Sequence, residues 1–277
     1  MEKEIRVIDE AKGILRITTI SERWYARPST DKETGLPIYE YFPSSTWIAG
    51  YYPKGIPFYR WLAEHGWDES QAIKQAAGDR GSRVHRATER LEKEGQLPIN
   101  TVLINPETNE AEGMGQEELD AVLSFSRWHN ENKPQLLANE MTVFGKDYAG
   151  TLDRIYRIAG QVYIVDIKTS KYIWEEHKLQ ISSYSEAEID YKSLKITGEE
   201  WKNRKLAILQ LGYPLNKAGF KFTEVENKYD LFVMARRIWE NENPKAKPRQ
   251  RDYPLIIKLN GGQENGSEPI TELGEKE

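Results

Sequence analysis

The stretch AGTLDRIYRIAGQVYIVDIKTSK, residues 149–171, decides how the chain folds. Apolar and polar residues alternate on both sides of Ala159-Gly160, a pair of residues typical of a tight turn between antiparallel strands. We therefore expect one strand over 148–158 and the next over 161–170, joined as a β-hairpin.

Three charged residues of this hairpin have a spacing that favours a common site. Asp166 and Lys168 are two residues apart on one strand, so their side chains share a face, and pairing across the turn brings Asp153 close to Asp166. Two adjacent carboxylates repel each other, and a hard divalent cation such as Mg²⁺ relieves that repulsion. A lysine beside such a metal suits phosphoryl transfer, because it orients or deprotonates the attacking water and offsets charge on the phosphate.

The pattern Asp-x-Lys is weak evidence when it stands alone, since Asp190-Tyr191-Lys192 matches it as well. Only the match at Asp166 ends an apolar run, VYIV, and follows a strand that carries another aspartate. The context of the motif therefore carries more information than the motif.

Hydrophobic periodicity predicts the elements on either side of the hairpin. Residues 1–60 are rich in aromatic residues, Pro and Gly and are expected to form loops and short strands, and 96–116 a loop. Two short helices are predicted in 56–78, and a third from Gly81-Ser82 to Gly95 with Ser82 as N-cap. Further helices are predicted over 115–132, 175–190 and 227–243. Strands are predicted over 136–145, 206–213 and 220–226, the last two joined by the turn NKAG. This order indicates an α/β (α+β) fold with helices on both faces of one mixed sheet.

The composition excludes several classes of site. The 277 residues include no cysteine, so disulfides, thiolate zinc sites and an iron–sulfur cluster held by cysteines are excluded. No apolar run approaches the ~18 residues of a membrane span, and the N-terminus does not resemble a signal peptide, so we expect a cytoplasmic protein with no membrane partner.

The net charge of −5 is unevenly distributed. Residues 260–277 hold five Glu and one Lys, which leaves the body of the chain nearly neutral, and we expect this segment to be a disordered acidic tail. The run PKAKPRQR at 244–251 either follows a phosphate backbone or is a solvated linker.

Residues 149–171 resemble the core of the PD-(D/E)XK nuclease superfamily in its RecB-like exonuclease branch, which has G-x-x-D on one strand and D-x-K-T on the next. Three further motifs occur in the family's order: G-x-x-x-H-x-x-x-E at Gly81, His85 and Glu89; Q-x-x-x-Y at Gln180 and Tyr184; and FPSSTWIAGYYPKG at 42–55, similar to the P-S-x-T-x-I opening of phage exonucleases and mitochondrial genome maintenance exonucleases. The resemblance spans about residues 42–240.

The resemblance implies a restriction-endonuclease-like mixed central sheet flanked by helices. It also implies a single nuclease domain over 1–259, with an aromatic N-terminal segment and a helical insertion. The roles that it assigns are catalysis by Asp153, Asp166 and Lys168; metal ligation by His85, Asp153, Asp166 and the backbone carbonyl of Ile167; substrate binding by Gln180 and Tyr184; and support of the ligands by Glu89, which would orient His85, and by Glu140.

By the same resemblance we expect a Mg²⁺- or Mn²⁺-dependent exonuclease that acts on DNA with a free end, in phage or prophage recombination or repair. Two alternatives stay open. One is a structure-specific or restriction-type endonuclease, since one fold hosts both activities, and the other is a nucleic-acid-binding module with a decayed site. The chain has no P-loop motif, so any unwinding motor is another chain, and a recombinase or helicase partner is expected.

Overall fold

The predicted hairpin is confirmed and lies inside a five-stranded sheet. The structure, a computed structural model, describes residues 4–19, 22–33, 35–105, 109–244 and 248. Its strands are β1 (Glu4–Asp9), β2 (Ile14–Thr18), β3 (Arg23–Thr30), β4 (Pro37–Pro43), β5 (Leu103–Ile104), β6 (Ala111–Glu112), β7 (Gln135–Phe144), β8 (Ala149–Ile158), β9 (Gln161–Lys168), β10 (Lys205–Leu211) and β11 (Phe220–Val225). Its helices are α1 (Ser45–Ala49), α2 (Ile56–Glu94), α3 (Gln116–Asn132), α4 (Glu175–Ser185), α5 (Gly198–Lys202) and α6 (Tyr229–Glu242). Helices flank the sheets, so the fold is mixed α/β.

The five-stranded sheet has the order β11-β10-β9-β8-β7. It is mixed, because β9 and β10 run parallel while the other neighbours are antiparallel. Ala159 and Gly160 form the turn between β8 and β9, and both have a positive φ (47° and 84°), as a two-residue hairpin turn requires. The sequence therefore predicts this sheet well, including β7, β10 and β11.

Helices cover both faces of this sheet. On one face, Val84 of α2 and Trp128 of α3 lie in one hydrophobic cluster with Ile167 of β9. On the other face, Ile181 of α4 lies in a cluster with Ile164. Because side chains alternate along a strand, residues two and four positions after Ile164 share the face that α4 covers.

The N-terminal residues form a second sheet, which the expectation of a single mixed sheet gets wrong. This sheet has the order β1-β2-β3-β4 and is antiparallel throughout. Strands joined by short connections pair with their neighbours in the chain, whereas hydrophobic periodicity does not show which strands pair. The predicted loop over 96–116 likewise contains a small antiparallel pair, β5 and β6.

A cluster of three tryptophans joins the N-terminal sheet to the helices. Trp24 of β3, Trp47 of α1 and Trp239 of α6 make edge-to-face contacts, with ring centroids 5.4, 5.9 and 5.1 Å apart. Leu179 of α4 belongs to the same hydrophobic cluster. The segment at 42–55 is thereby held against α4.

Helix α2 differs from the three separate helices expected between residues 56 and 95. It is broken once, at Gly66 (φ 72°, ψ 177°), and then continues through Gly78, Gly81 and Ser82 until Gly95 ends it. Ser82 is therefore not an N-cap, because it lies inside the helix. A glycine in a helix interior costs only about 1 kcal/mol relative to alanine, which is too little to end a helix that packs on neighbours.

The remaining expectations are met in part. Helix α3 and helix α6 lie where they were predicted, whereas α4 ends at Ser185 instead of residue 190. Within the ranges that the structure describes, no helix combines the length and hydropathy needed to cross a membrane. The predicted tail over 260–277 and most of the basic run at 244–251 lie outside the described residues, so the extent of a single domain over 1–259 stays a prediction.

The break in α2 leads to a test of its backbone geometry. Gly66→Ala should lower the free energy of unfolding by about 1–3 kcal/mol, because φ 72° with ψ 177° lies in a region of backbone conformation that is essentially restricted to glycine. A Cβ at residue 66 would meet no atom within 4 Å, so only the backbone contributes. Gly78→Ala, equally open but inside the regular helix, should raise that free energy by about 0.5–1 kcal/mol. Urea denaturation of both variants checks this, and changes of the same sign would contradict the kink.

Candidate metal centre

The candidate site lies where strands β8 and β9 separate. Their paired register begins at the turn and ends at Arg154 opposite Val165. Beyond that point the backbone N–H of Ile167 donates to Asp153 Oδ2 at 2.7 Å, and Asp153 is only 8 % exposed. The carboxylate of Asp153 is thus fixed between the two strands by a backbone hydrogen bond.

Helix α2 brings His85 to the same point. His85 Nε2 donates to the carbonyl oxygen of Ile167 at 3.0 Å. Its Nδ1 lies 3.5 Å from Glu140 Oε1 and 3.7 Å from Asp153 Oδ1. His85, Glu140 and Asp153 each offer one ligand atom, and these atoms all lie within 4.8 Å of one another.

The third expected metal ligand, Asp166, lies beside this group and is paired with Lys168. Asp166 is 1 % exposed, and its Oδ2 is 2.7 Å from Lys168 Nζ. Neither carboxylate oxygen of Asp166 accepts a well-aligned hydrogen bond from any described residue. Glu140 therefore joins His85 and Asp153 in the compact group, while Asp166 contributes a buried carboxylate next to it.

The charges of these residues shift one another's proton affinity. Burial by itself lowers the pKa of His85, but the carboxylates of Asp153 and Glu140 outweigh it and raise that pKa to about 9. Burial raises the pKa of Asp153 to about 6, opposed by His85 and reinforced by Asp166. Against burial, Asp166 and Asp153 raise the pKa of Lys168 above its usual value. Two cationic side chains thus hold their protons against burial because three carboxylates lie beside them.

Glu140 is held in place by a buried ion-pair network that includes Arg154 and Glu92. Arg154, fully buried, donates from Nε to Glu92 Oε2 at 2.6 Å and from Nη1 to Glu140 Oε1 at 3.1 Å. Tyr156 donates its hydroxyl hydrogen to the same Glu92. Glu140 itself has a φ of 45°, in the left-handed region that residues other than glycine adopt uncommonly. The sequence motifs miss Arg154 and Glu92, although a charged residue among the apolar residues of β8 is a usable signal.

The two substrate-binding candidates lie together on α4. Gln180 Nε2 donates to Tyr184 Oη at 2.8 Å and to Thr46 Oγ1 of α1 at 3.1 Å. A Cβ at Gly150 would lie 2.5 Å from a ring carbon of Tyr184, which explains why glycine precedes Asp153 by three residues. Burial raises the pKa of Tyr184 well above its usual value, so its phenol keeps its proton.

Glu89 does not contact His85 as expected. Among the described residues, no hydrogen bond or ion pair links the side chains of Glu89 and His85. The carboxylate beside His85 Nδ1 is that of Glu140. Burial and the charge of Glu140 raise the pKa of Glu89. Glu89 thus lies near the cluster without orienting the histidine.

His177 is a neighbour of the site that the sequence motifs leave out. Burial lowers the pKa of His177 to about 3, and the charges of Lys168 and Lys54 add to that effect. Its Nδ1 accepts a hydrogen bond from the backbone N–H of Trp174 at 3.4 Å, which places the remaining ring proton on Nε2. The available signal is its position three residues before Gln180, on the same side of α4.

No protein-family model and no curated protein matches the chain.

Because the pKa of His85 is raised in the folded chain, stability in a metal-free buffer should depend on pH. The pKa of His85 is about 9 in the folded chain against 6.5 unfolded. The folded state therefore binds the extra proton, and the resulting stabilisation is complete below pH 6.5 and lost as the pH rises through 9. Urea denaturation with chelator at pH 6.5, 8 and 9 should show a falling free energy of unfolding.

His85→Gln should flatten this decline over the same pH range. His65→Gln provides the matched control, since His65 lies on the same helix, away from the site, and pairs with Glu69 at 3.2 Å. Equal slopes for the original chain and the His85 variant would contradict the electrostatic assignment.

Proposed function

We propose that the chain is a metal-dependent deoxyribonuclease with the restriction-endonuclease-like fold of the PD-(D/E)XK superfamily. The observation that carries the proposal is the convergence of His85, Glu140 and Asp153, whose ligand atoms lie within 4.8 Å of one another. The pair formed by Asp166 and Lys168 lies alongside. A surface cluster of acids has neither the buried carboxylates nor the adjacent ammonium group.

These residues fit a hard divalent cation. One imidazole nitrogen and two carboxylate oxygens form the compact group, and the buried oxygens of Asp166 and the carbonyl of Ile167 lie next to it. Oxygen-rich donor sets favour Mg²⁺ and Mn²⁺. A bound ion of this kind would supply Lewis-acid stabilisation of the negative charge that develops on a phosphate.

The chain's own residues supply the remaining chemistry. Lys168 stays protonated at neutral pH because the nearby carboxylates raise its pKa, so its ammonium group orients the attacking water and offsets phosphate charge. The hydroxyl of Tyr184 accepts from Gln180, so its own proton can be donated to a phosphate oxygen. Hydrolysis would leave a 5′-phosphate and a 3′-hydroxyl.

The motif resemblance supports the narrower parts of the proposal. These are exonuclease action on DNA with a free end, a role in phage or prophage recombination or repair, a cytoplasmic location and a recombinase or helicase partner. The chain has no cysteine, so it does not hold an iron–sulfur cluster through thiolates. An endonuclease and an inert binding module predict different products in the experiment below.

The chain should degrade linear DNA in Mg²⁺ or Mn²⁺ and leave a covalently closed circle of the same sequence intact. Chelator should stop the reaction. Asp166→Asn should lower the rate at least about a hundredfold, because losing a group that supports a metal costs about 10–100-fold even outside the ligand shell. Gel electrophoresis of both substrates over time measures this.

Asp190→Asn is the matched control, because Asp190 occupies the second Asp-x-Lys match but lies outside the site, where its Oδ1 accepts from the Ser193 N–H at 3.3 Å. Its rate should equal that of the original chain. Cutting of the circle would favour the endonuclease, and DNA binding without metal-dependent cleavage would favour the inert module. Full activity of a correctly folded Asp166→Asn variant would remove the site assignment.

A further inference from the structure

The connection between β9 and α4 is a fixed loop at the edge of the candidate site. It begins directly after Lys168. Gln210, which is buried and lies opposite Lys168 in the parallel register, donates from Nε2 to the carbonyls of Ser170 and Lys171 at 2.8 and 2.9 Å. Ser170 Oγ donates to the carbonyl of Tyr172 at 2.9 Å. Buried and local hydrogen bonds thus set the conformation of the loop.

This fixed loop presents two aromatic side chains to solvent. Tyr172 is 56 % exposed and Trp174 is 49 % exposed. Their ring centroids are 6.0 Å apart, with an interplanar angle of 61°. Neither ring belongs to a hydrophobic cluster of the described core, so burial does not explain their presence.

Several lysines lie near the two rings, and some of them pair with the glutamates that follow Trp174: Lys54 with Glu176, and Lys178 and Lys228 with Glu175. Lys171 Nζ lies 5.2 Å from the centroid of the Tyr172 ring. The backbone N–H of Trp174 donates to His177, whose pKa is lowered mainly by burial and further by the charges of Lys168 and Lys54. Aromatic faces beside lysines at the edge of a phosphate-cleaving site suit a polyanion with exposed bases better than an apolar protein partner.

We propose that Tyr172 and Trp174 form a stacking platform for unpaired bases, so that the strand reaching the site is single-stranded DNA. The platform rests on the proposed nuclease function, because it begins four residues after the candidate catalytic lysine. Bases paired in a duplex do not expose their faces, whereas the bases of a single strand stack on such rings regardless of sequence. The platform would hold the nucleotides adjacent to the scissile phosphate.

The test is a binding measurement that needs no cleavage. Fluorescence anisotropy in chelator gives the Kd of the full chain for labelled oligo-dT and for a blunt duplex of equal length. Tyr172→Ala combined with Trp174→Ala should weaken binding of the single strand at least about tenfold, the affinity carried by one base stack. Duplex binding should change less than about twofold.

Two controls separate stacking from other contributions. Tyr172→Phe combined with Trp174→Phe keeps both ring faces and should retain most of the affinity for the single strand. A strand of abasic nucleotides keeps the phosphates but has no bases, so the alanine double variant should bind it as the original chain does. Lys171→Gln should lower the salt dependence of binding without removing the difference between oligo-dT and the abasic strand.

Equal loss on single-stranded, abasic and duplex DNA would overturn the proposal, as would unchanged binding by the alanine double variant. Thermal unfolding of each variant shows whether the fold is kept, and the phenylalanine pair keeps the proposal testable if the alanine pair does not fold. Cleavage of linear DNA by the original chain is scored separately. A nuclease that ignores the two rings would refute the platform alone, whereas base-dependent binding without cleavage would refute the nuclease alone.

Discussion

Repulsion between buried carboxylates is the constraint around which the site is arranged. Asp153 and Asp166 lie on neighbouring strands, 8 % and 1 % exposed, where water does not solvate their charges. Two cationic side chains offset that repulsion, His85 from α2 and Lys168 from the end of β9, and Arg154 from β8 pairs with the neighbouring Glu140. Removing any one of these cations would leave a carboxylate buried without its partner, which is the costly state for an ion pair in an interior.

The fold brings these charges together from distant parts of the chain. Helix α2 carries His85 at the site and, two turns further along, Glu92, which accepts a hydrogen bond from Arg154. Helix α4 approaches the strand closely enough that only glycine fits at residue 150 against Tyr184. The packing of helices on both faces of the sheet therefore sets the distances between the candidate metal-ligand atoms.

The sequence predicts the parts of this arrangement that depend on local chemistry. The turn at Ala159-Gly160 and the shared face of Asp166 and Lys168 follow from turn preference and strand period. The buried contact of Arg154 with Glu92 spans 62 residues, so no local pattern shows it. The same limit explains the separate N-terminal sheet and the continuous helix through Ser82, because strand pairing and packing against α3 decide both.

Binding of Mn²⁺, followed by pulsed electron paramagnetic resonance, tests the central claim most directly. The ion should bind the chain at one tight site, and its spin-echo modulation should contain the signal of a coordinated ¹⁴N nucleus from an imidazole. In His85→Gln that nitrogen signal should disappear while the oxygen-rich surroundings of the ion persist. Mn²⁺ that stays free in solution, or a nitrogen signal that survives the loss of His85, would contradict the account.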